Sequence, residues 1–331
     1  MIYKCSSCQF EAPEGLPPAP RHPEYCPRCR SQSFIAVHDT ERPPPPAADD
    51  GEPSEQGLRV LVSTMLYSLG KELGADGATK ELYAQLEELA TNRLHRPADD
   101  YLPVALTITR ARKLFDVGLV VDAGGTQIAK CRSRTFSEFL RKPDFHIWLS
   151  CDDDTDCTVA ALAALVEAVA GDEPAIAVAP TWLRGVATVN VGFPKVVVDR
   201  TLVGSGGRMR SCYFGGFGLV AMNKAAAQAI AHQSEQFDDD DGRQQHAAFS
   251  EIIVRHDGRT RWLGEDLSFF ARVPPGVRVE ALLTGHTRHD GQTLPLERVA
   301  RAEVPTLEVH GEWLEAKKLN GGEREPETVV D

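Results

Sequence analysis

The chain has 331 residues, 42% hydrophobic and 25% charged, enough for one sizeable core with a smaller unit beside it. That composition excludes a collagen-like or wholly disordered chain. With 36 Lys and Arg against 48 Asp and Glu the formal charge is -12, so bulk charge does not point to nucleic acid.

Cys5-Ser-Ser-Cys8 opens the chain and Cys26-Pro-Arg-Cys29 follows after 17 residues. Two thiolate pairs at that spacing can close a tetrahedron around one structural Zn2+. Short apolar pieces, Met1 to Tyr3 and Ser33 to Val37, flank the pairs as small strands would, and so few residues need the metal to fold. Residues 1–37 therefore read as a zinc ribbon. Residues 38–57 hold four consecutive prolines and six acids against one arginine, which cannot bury a core and reads as a linker. The first residues, MIYKCSSCQF, lack a signal-peptide layout, and no window reaches the roughly 18 apolar residues of a membrane span. A cytoplasmic protein with no membrane partner is expected, in keeping with cysteines that are paired as CxxC or scattered.

A large domain is expected over residues 58–314. Leu58 to Ser63 is an apolar strand of the kind buried in a parallel sheet. Leu82, Leu86 and Leu89 recur at helical spacing, and Leu102 to Thr109 and Val117 to Val121 read as strands. Phe136, Phe139 and Leu140 belong to a helix ending before Pro143. Phe145 to Ser150 is the next strand, Thr158 to Ala170 a helix and Ala175 to Ala179 a strand. This alternation predicts an α/β domain with a mostly parallel sheet. Residues 315–331 are polar and read as a fraying tail.

The strand Phe145 to Ser150 runs into Cys151-Asp152-Asp153-Asp154-Thr155-Asp156, so the acids lie at a carboxyl end, where open α/β sheets bind ligands. Clustered carboxylates repel one another, and a hard divalent cation, Mg2+ or Mn2+, would neutralise them. A helix cap or a solvated acidic turn is the competing account. Gly264-Glu265-Asp266 puts two more acids at a helix start, and His286, with His289 close by, follows the strand Val277 to Leu283. Two glycine-rich loops, Gly204 to Gly207 and Gly215-Gly216-Phe217-Gly218, let backbone approach a ligand. Neither matches a Walker A or a dinucleotide fingerprint.

In order, these pieces resemble a glycosyltransferase of GT-A fold, from about Leu58 to Leu294. The resemblance implies a GT-A-like, Rossmann-like domain using a nucleotide-sugar donor of the UDP type and catalytic Mn2+ or Mg2+. Asp152-Asp153-Asp154 stands where that family has its DxD motif. It implies that Asp154 binds the metal, with Asp152 near the metal or ribose and Asp153 beside the donor. Arg132 matches the family's nucleotide-contacting arginine, followed here by Ser133 where the family often has Asn. Gly215 and Gly216 fall in the loop under the donor sugar. Glu265-Asp266 looks like the xED motif, whose Asp would be the acceptor-activating base of an inverting enzyme. His286 looks like the family's metal-ligating His, with His289 competing for the role. A ribbon carrying Lys4, Arg21, Arg28 and Arg30 against three acids suits DNA, which makes a hydroxymethylated pyrimidine one expected acceptor. A polysaccharide or protein acceptor is the alternative, and an inactive zinc-finger adaptor is a third reading.

Overall fold

A computed structural model describes residues 2–5, 34–37, 58–66, 80, 82, 84, 102–123, 127–194, 208–239, 242–308 and 311–319. At its centre is a seven-stranded sheet. Across it the strands run Asp116–Ala123, Arg59–Leu66, Ile147–Asp152, Leu219–Asn223, Ala175–Val178, Arg278–Leu282 and Met209–Ser211. Five run one way; Leu219–Asn223 and Met209–Ser211 oppose them. The chain is thus α/β with a mostly parallel central sheet. The continuous apolar runs expected for such strands are there, since Ile147–Asp152 and Leu219–Asn223 are buried almost throughout.

Packing beneath the carboxyl ends is aromatic. Phe136 and Phe139 of the helix Ile128–Arg141 meet Trp148, and Phe217, Phe249 and Phe269 close around them with ring centroids 4.6 to 4.7 Å apart. These edge-on and stacked rings form a rigid, dry floor. The Trp148 indole N–H is satisfied by Ser63 Oγ at 2.7 Å.

Two expectations are corrected. Leu102–Leu114 is a helix, not a strand. Val104, Ala105, Ile108 and Ala111 are buried at helical spacing, and Pro103 suits a first helical turn; packing overrides the β-branched composition. Order also continues past residue 315, because the helix Gly311–Leu319 buries Trp313 and Ala316, and Trp313 donates to the Leu267 carbonyl. The strands Ile2–Cys5 and Phe34–Val37 pair antiparallel. Cys8, Cys26 and Cys29, the Cys5 side chain, the linker, and Gly204 to Gly207 lie outside the described residues. Among the described residues no helix is long and apolar enough to cross a membrane.

Candidate active site

The strand Ile147–Asp152 delivers Asp152 at its carboxyl end, and Asp153 and Asp154 form the turn into Thr155–Cys157. That short strand pairs with His286–His289, and the register sets His289 opposite Thr155 and Thr287 opposite Cys157. His289 is therefore the histidine beside the acids, its Nε2 lying 3.4 Å from Asp154 Oδ2. His286 sits at the far end of the same strand, where its carbonyl accepts from Thr158 N. Of the two candidate histidines, His289 and not His286 thus stands beside Asp154, a placement set by a pairing register that sequence spacing does not reveal.

Arg132 organises the other side. Buried to 3% exposure, it donates through one terminal nitrogen to Glu265 Oε1 at 3.1 Å and to Asp266 Oδ1. Through the other it reaches both oxygens of Asp152, at 3.0 and 3.1 Å. Its guanidinium lies over the Phe217 ring, 5.3 Å from the centroid. Burial opposes its charge, but Asp152, Asp266 and Glu265 outweigh that and hold it protonated. Glu265 and Asp266 occupy the first turn of the helix Glu265–Arg272, where Gly264 offers no capping side chain and the acids meet the positive helix end. Asp266 Oδ2 also accepts the Phe217 N–H at 3.1 Å. Burial, with Glu265 and Asp152 nearby, pushes the Asp266 carboxyl up to about 6 against the pull of Arg132. Asp152 is raised as well, chiefly by burial.

Between these walls lies a cavity of about 420 Å³, lined among others by Asp152, Asp266, His289, Arg184, Phe217 and Gly218. Its upper rim is the segment after the strand Ala175–Val178. There Thr181 and Asn190 lock together by paired hydrogen bonds at 2.8 Å, and Arg184 forms an ion pair with Asp154. Sequence reasoning missed Thr181, Trp182, Arg184 and Asn190. The available signal was their place just beyond a strand's carboxyl end. Asp156 turns away, bonded to Arg288 at 2.9 Å, and Asp153 is buried in the turn. Gly215 and Gly216 lie behind the wall. A Cβ on Gly215 would meet Val178 at 2.8 Å and one on Gly216 would meet Asn190 at 2.0 Å. Their missing side chains make room for Val178 and Asn190, and Phe217 and Gly218 are the loop residues that line the cavity.

The donor set suits a cation held partly by its ligand. Among the described residues no three His, Cys, Asp or Glu side chains form a closed cation cage. A divalent ion on a diphosphate needs only one or two protein donors, with phosphate and water supplying the rest. His289 Nδ1 lies 2.8 Å from the Trp182 carbonyl, which can only accept, so Nδ1 carries a proton and Nε2 is the ring nitrogen turned toward Asp154. That nitrogen and the Asp154 carboxylate together would offer a cation a two-donor edge. Four carboxylates, Asp152, Asp154, Glu265 and Asp266, stand against two guanidiniums, Arg132 and Arg184, leaving an excess of two negative charges.

No protein-family model matches the sequence, and no curated protein is similar to it at a significant level. Among solved structures, the chain is similar to one titled the crystal structure of A197 from STIV, with 13% identity and a TM-score of 0.38 over 73% of this chain and 92% of that one. At that distance the likeness carries no argument about chemistry.

Proposed function

We propose that the chain is a metal-dependent glycosyltransferase, moving a sugar from a nucleotide-sugar donor to an acceptor hydroxyl. The observation that supports this most is the convergence of the strand-end Asp152, the helix-start Asp266 and His289, itself 3.4 Å from Asp154, on one cavity. A second support is chemical: the excess negative charge there would repel a diphosphate unless a cation came with it.

Asp154 and His289 would hold Mn2+ or Mg2+ together with the donor diphosphate, and when bound the ion would neutralise charge on the departing nucleoside diphosphate. Arg184, exposed at the rim, is free to exchange Asp154 for phosphate oxygens once that carboxylate is engaged. Asp152 is held by both its oxygens on Arg132, which fixes it as a positioned acceptor for donor hydroxyls. Asp266 is the base. A carboxyl raised to about 6 takes an acceptor proton more readily than an ordinary aspartate does, and Phe217 N–H and Arg132 fix its orientation. The phenyl floor excludes water beneath it, which limits hydrolysis of the donor.

Calorimetric titration of the full-length protein with UDP tests the binding half of this reading. UDP should bind at least tenfold more tightly with Mn2+ than without it, and Asp154→Ala should remove that difference. Equal affinity with and without metal would sink the metal-diphosphate assignment.

A further inference from the structure

The two guanidiniums of the site are held in different ways. The Arg132 side chain is 4% exposed and fixed on three carboxylates, whereas that of Arg184 is 66% exposed and pairs with Asp154 from the tip of a surface turn. That turn has firm shoulders. The Trp182 indole N–H donates to the Thr293 carbonyl at 3.2 Å while the Trp182 carbonyl faces His289 Nδ1, and Thr181 and Asn190 are buried and bonded to each other. Val189 donates to the Pro305 carbonyl and accepts from Leu307 N. Between these anchors, residues 183–188 are closed by two backbone hydrogen bonds, Leu183 N to the Thr188 carbonyl at 2.9 Å and Val186 N to the Leu183 carbonyl at 3.4 Å. Residues 184–187 are exposed and Gly185 turns the chain at φ 72°. A tip with so little buried surface opens at small cost while its shoulders stay in place.

Asp154 has one oxygen to offer a cation. Its Oδ1 accepts from Thr155 Oγ1 at 3.3 Å. Its Oδ2 takes the Arg184 guanidinium and is also the oxygen that faces His289 Nε2 at 3.4 Å. A metal ion bridging Asp154 and His289 would need that same oxygen, and two cations on one carboxylate oxygen repel each other. Arg184 and the ion therefore exclude one another.

We infer that Arg184 is the site's own counter-cation, which holds Asp154 until a divalent ion displaces it and then swings on the 183–188 turn to the donor's diphosphate. The inference deepens the glycosyl-transfer reading and rests on it. A planar guanidinium suits both partners, because its fork binds carboxylate and phosphate alike. The exchange couples the two ligands. Metal alone must break the ion pair and leave Arg184 without an anion, whereas metal with a diphosphate gives the guanidinium a new one, so each ligand tightens the other.

Calorimetric titration of the full-length protein with Mn2+ alone, with UDP alone and with UDP at saturating Mn2+ tests it. Arg184→Ala should bind Mn2+ alone about 3-fold to 5-fold more tightly than wild type, the strength of an exposed ion pair. The same variant should bind UDP with Mn2+ about 10-fold more weakly, having lost a charged donor to phosphate. Arg184→Lys should restore the competition with Mn2+ but only part of the UDP affinity, since it keeps the charge without the fork. Arg184 is exposed, so both variants should keep the wild-type melting temperature. A positive charge acting only through its field would give the same signs, and a cycle with Asp154→Asn separates field from contact. Asp154→Asn releases Arg184 and should tighten metal-free UDP binding, and adding Arg184→Ala should cancel that gain; a field alone would make the two changes additive. Unchanged or weaker Mn2+ binding by Arg184→Ala, or additivity in the cycle, overturns the inference and leaves the metal-diphosphate reading standing. UDP affinity indifferent to Mn2+ in wild type rejects that reading and the inference with it.

Discussion

His289 and Asp154 face each other across 3.4 Å, with the imidazole held from behind by the Trp182 carbonyl at 2.8 Å. On the proposed reading His289 is the metal-side histidine, and a direct comparison with His286 tests it. His289→Ala should reduce Mn2+-dependent donor turnover by about 10-fold to 100-fold, the usual loss when a ligand or its support is removed. His286→Ala, at the other end of the strand, should leave it within about twofold. Steady-state kinetics across a Mn2+ series reads both, and the reverse ranking would return the role to His286.

Arg132 compensates three carboxylates from a buried position, so its loss should be structural as well as functional. Arg132→Met should destabilise the fold by about 3 to 5 kcal/mol, because Asp152, Glu265 and Asp266 would be left facing one another without a cation. Arg132→Lys should recover part of that, keeping the charge but not the fork that reaches two elements at once. Urea unfolding measures the order, and equal stability of Arg132→Met and wild type would show the cluster to be solvated.

The raised Asp266 carboxyl has a consequence for stability. Its folded pKa of about 6 lies above the ordinary value of 3.8, so the folded state binds this proton more tightly than the unfolded chain. Stability present below about pH 4 is lost as pH rises through about 6. Asp266→Asn should therefore flatten metal-free stability between pH 4 and 7 by on the order of 2 kcal/mol. An unchanged pH profile in that variant would put the titration elsewhere.

Much of this architecture was legible in the sequence because the physics was local. The apolar run ending at Asp152 could only be a buried strand with acids at its end, and Gly264-Glu265-Asp266 before Leu267, Phe269 and Phe270 could only start a helix. What failed was non-local. Leu102–Leu114 carries Val, Thr and Ile at strand-like density, and only its packing makes it a helix. Strand register decides that His289, not His286, stands beside Asp154, and Arg184 enters through a loop. Gly215 and Gly216 yield to Val178 and Asn190, neighbours that no sequence pattern announces.

The most direct measurement is release of nucleoside diphosphate from a panel of nucleotide sugars, for wild type and Asp154→Ala, with Mn2+, with Mg2+ and with neither. Wild type should turn over at least one donor, only with metal present, and Asp154→Ala should be slower by about 100-fold or more. A wild-type protein that releases no diphosphate from any donor, or an Asp154→Ala variant that matches it, would contradict the glycosyltransferase account.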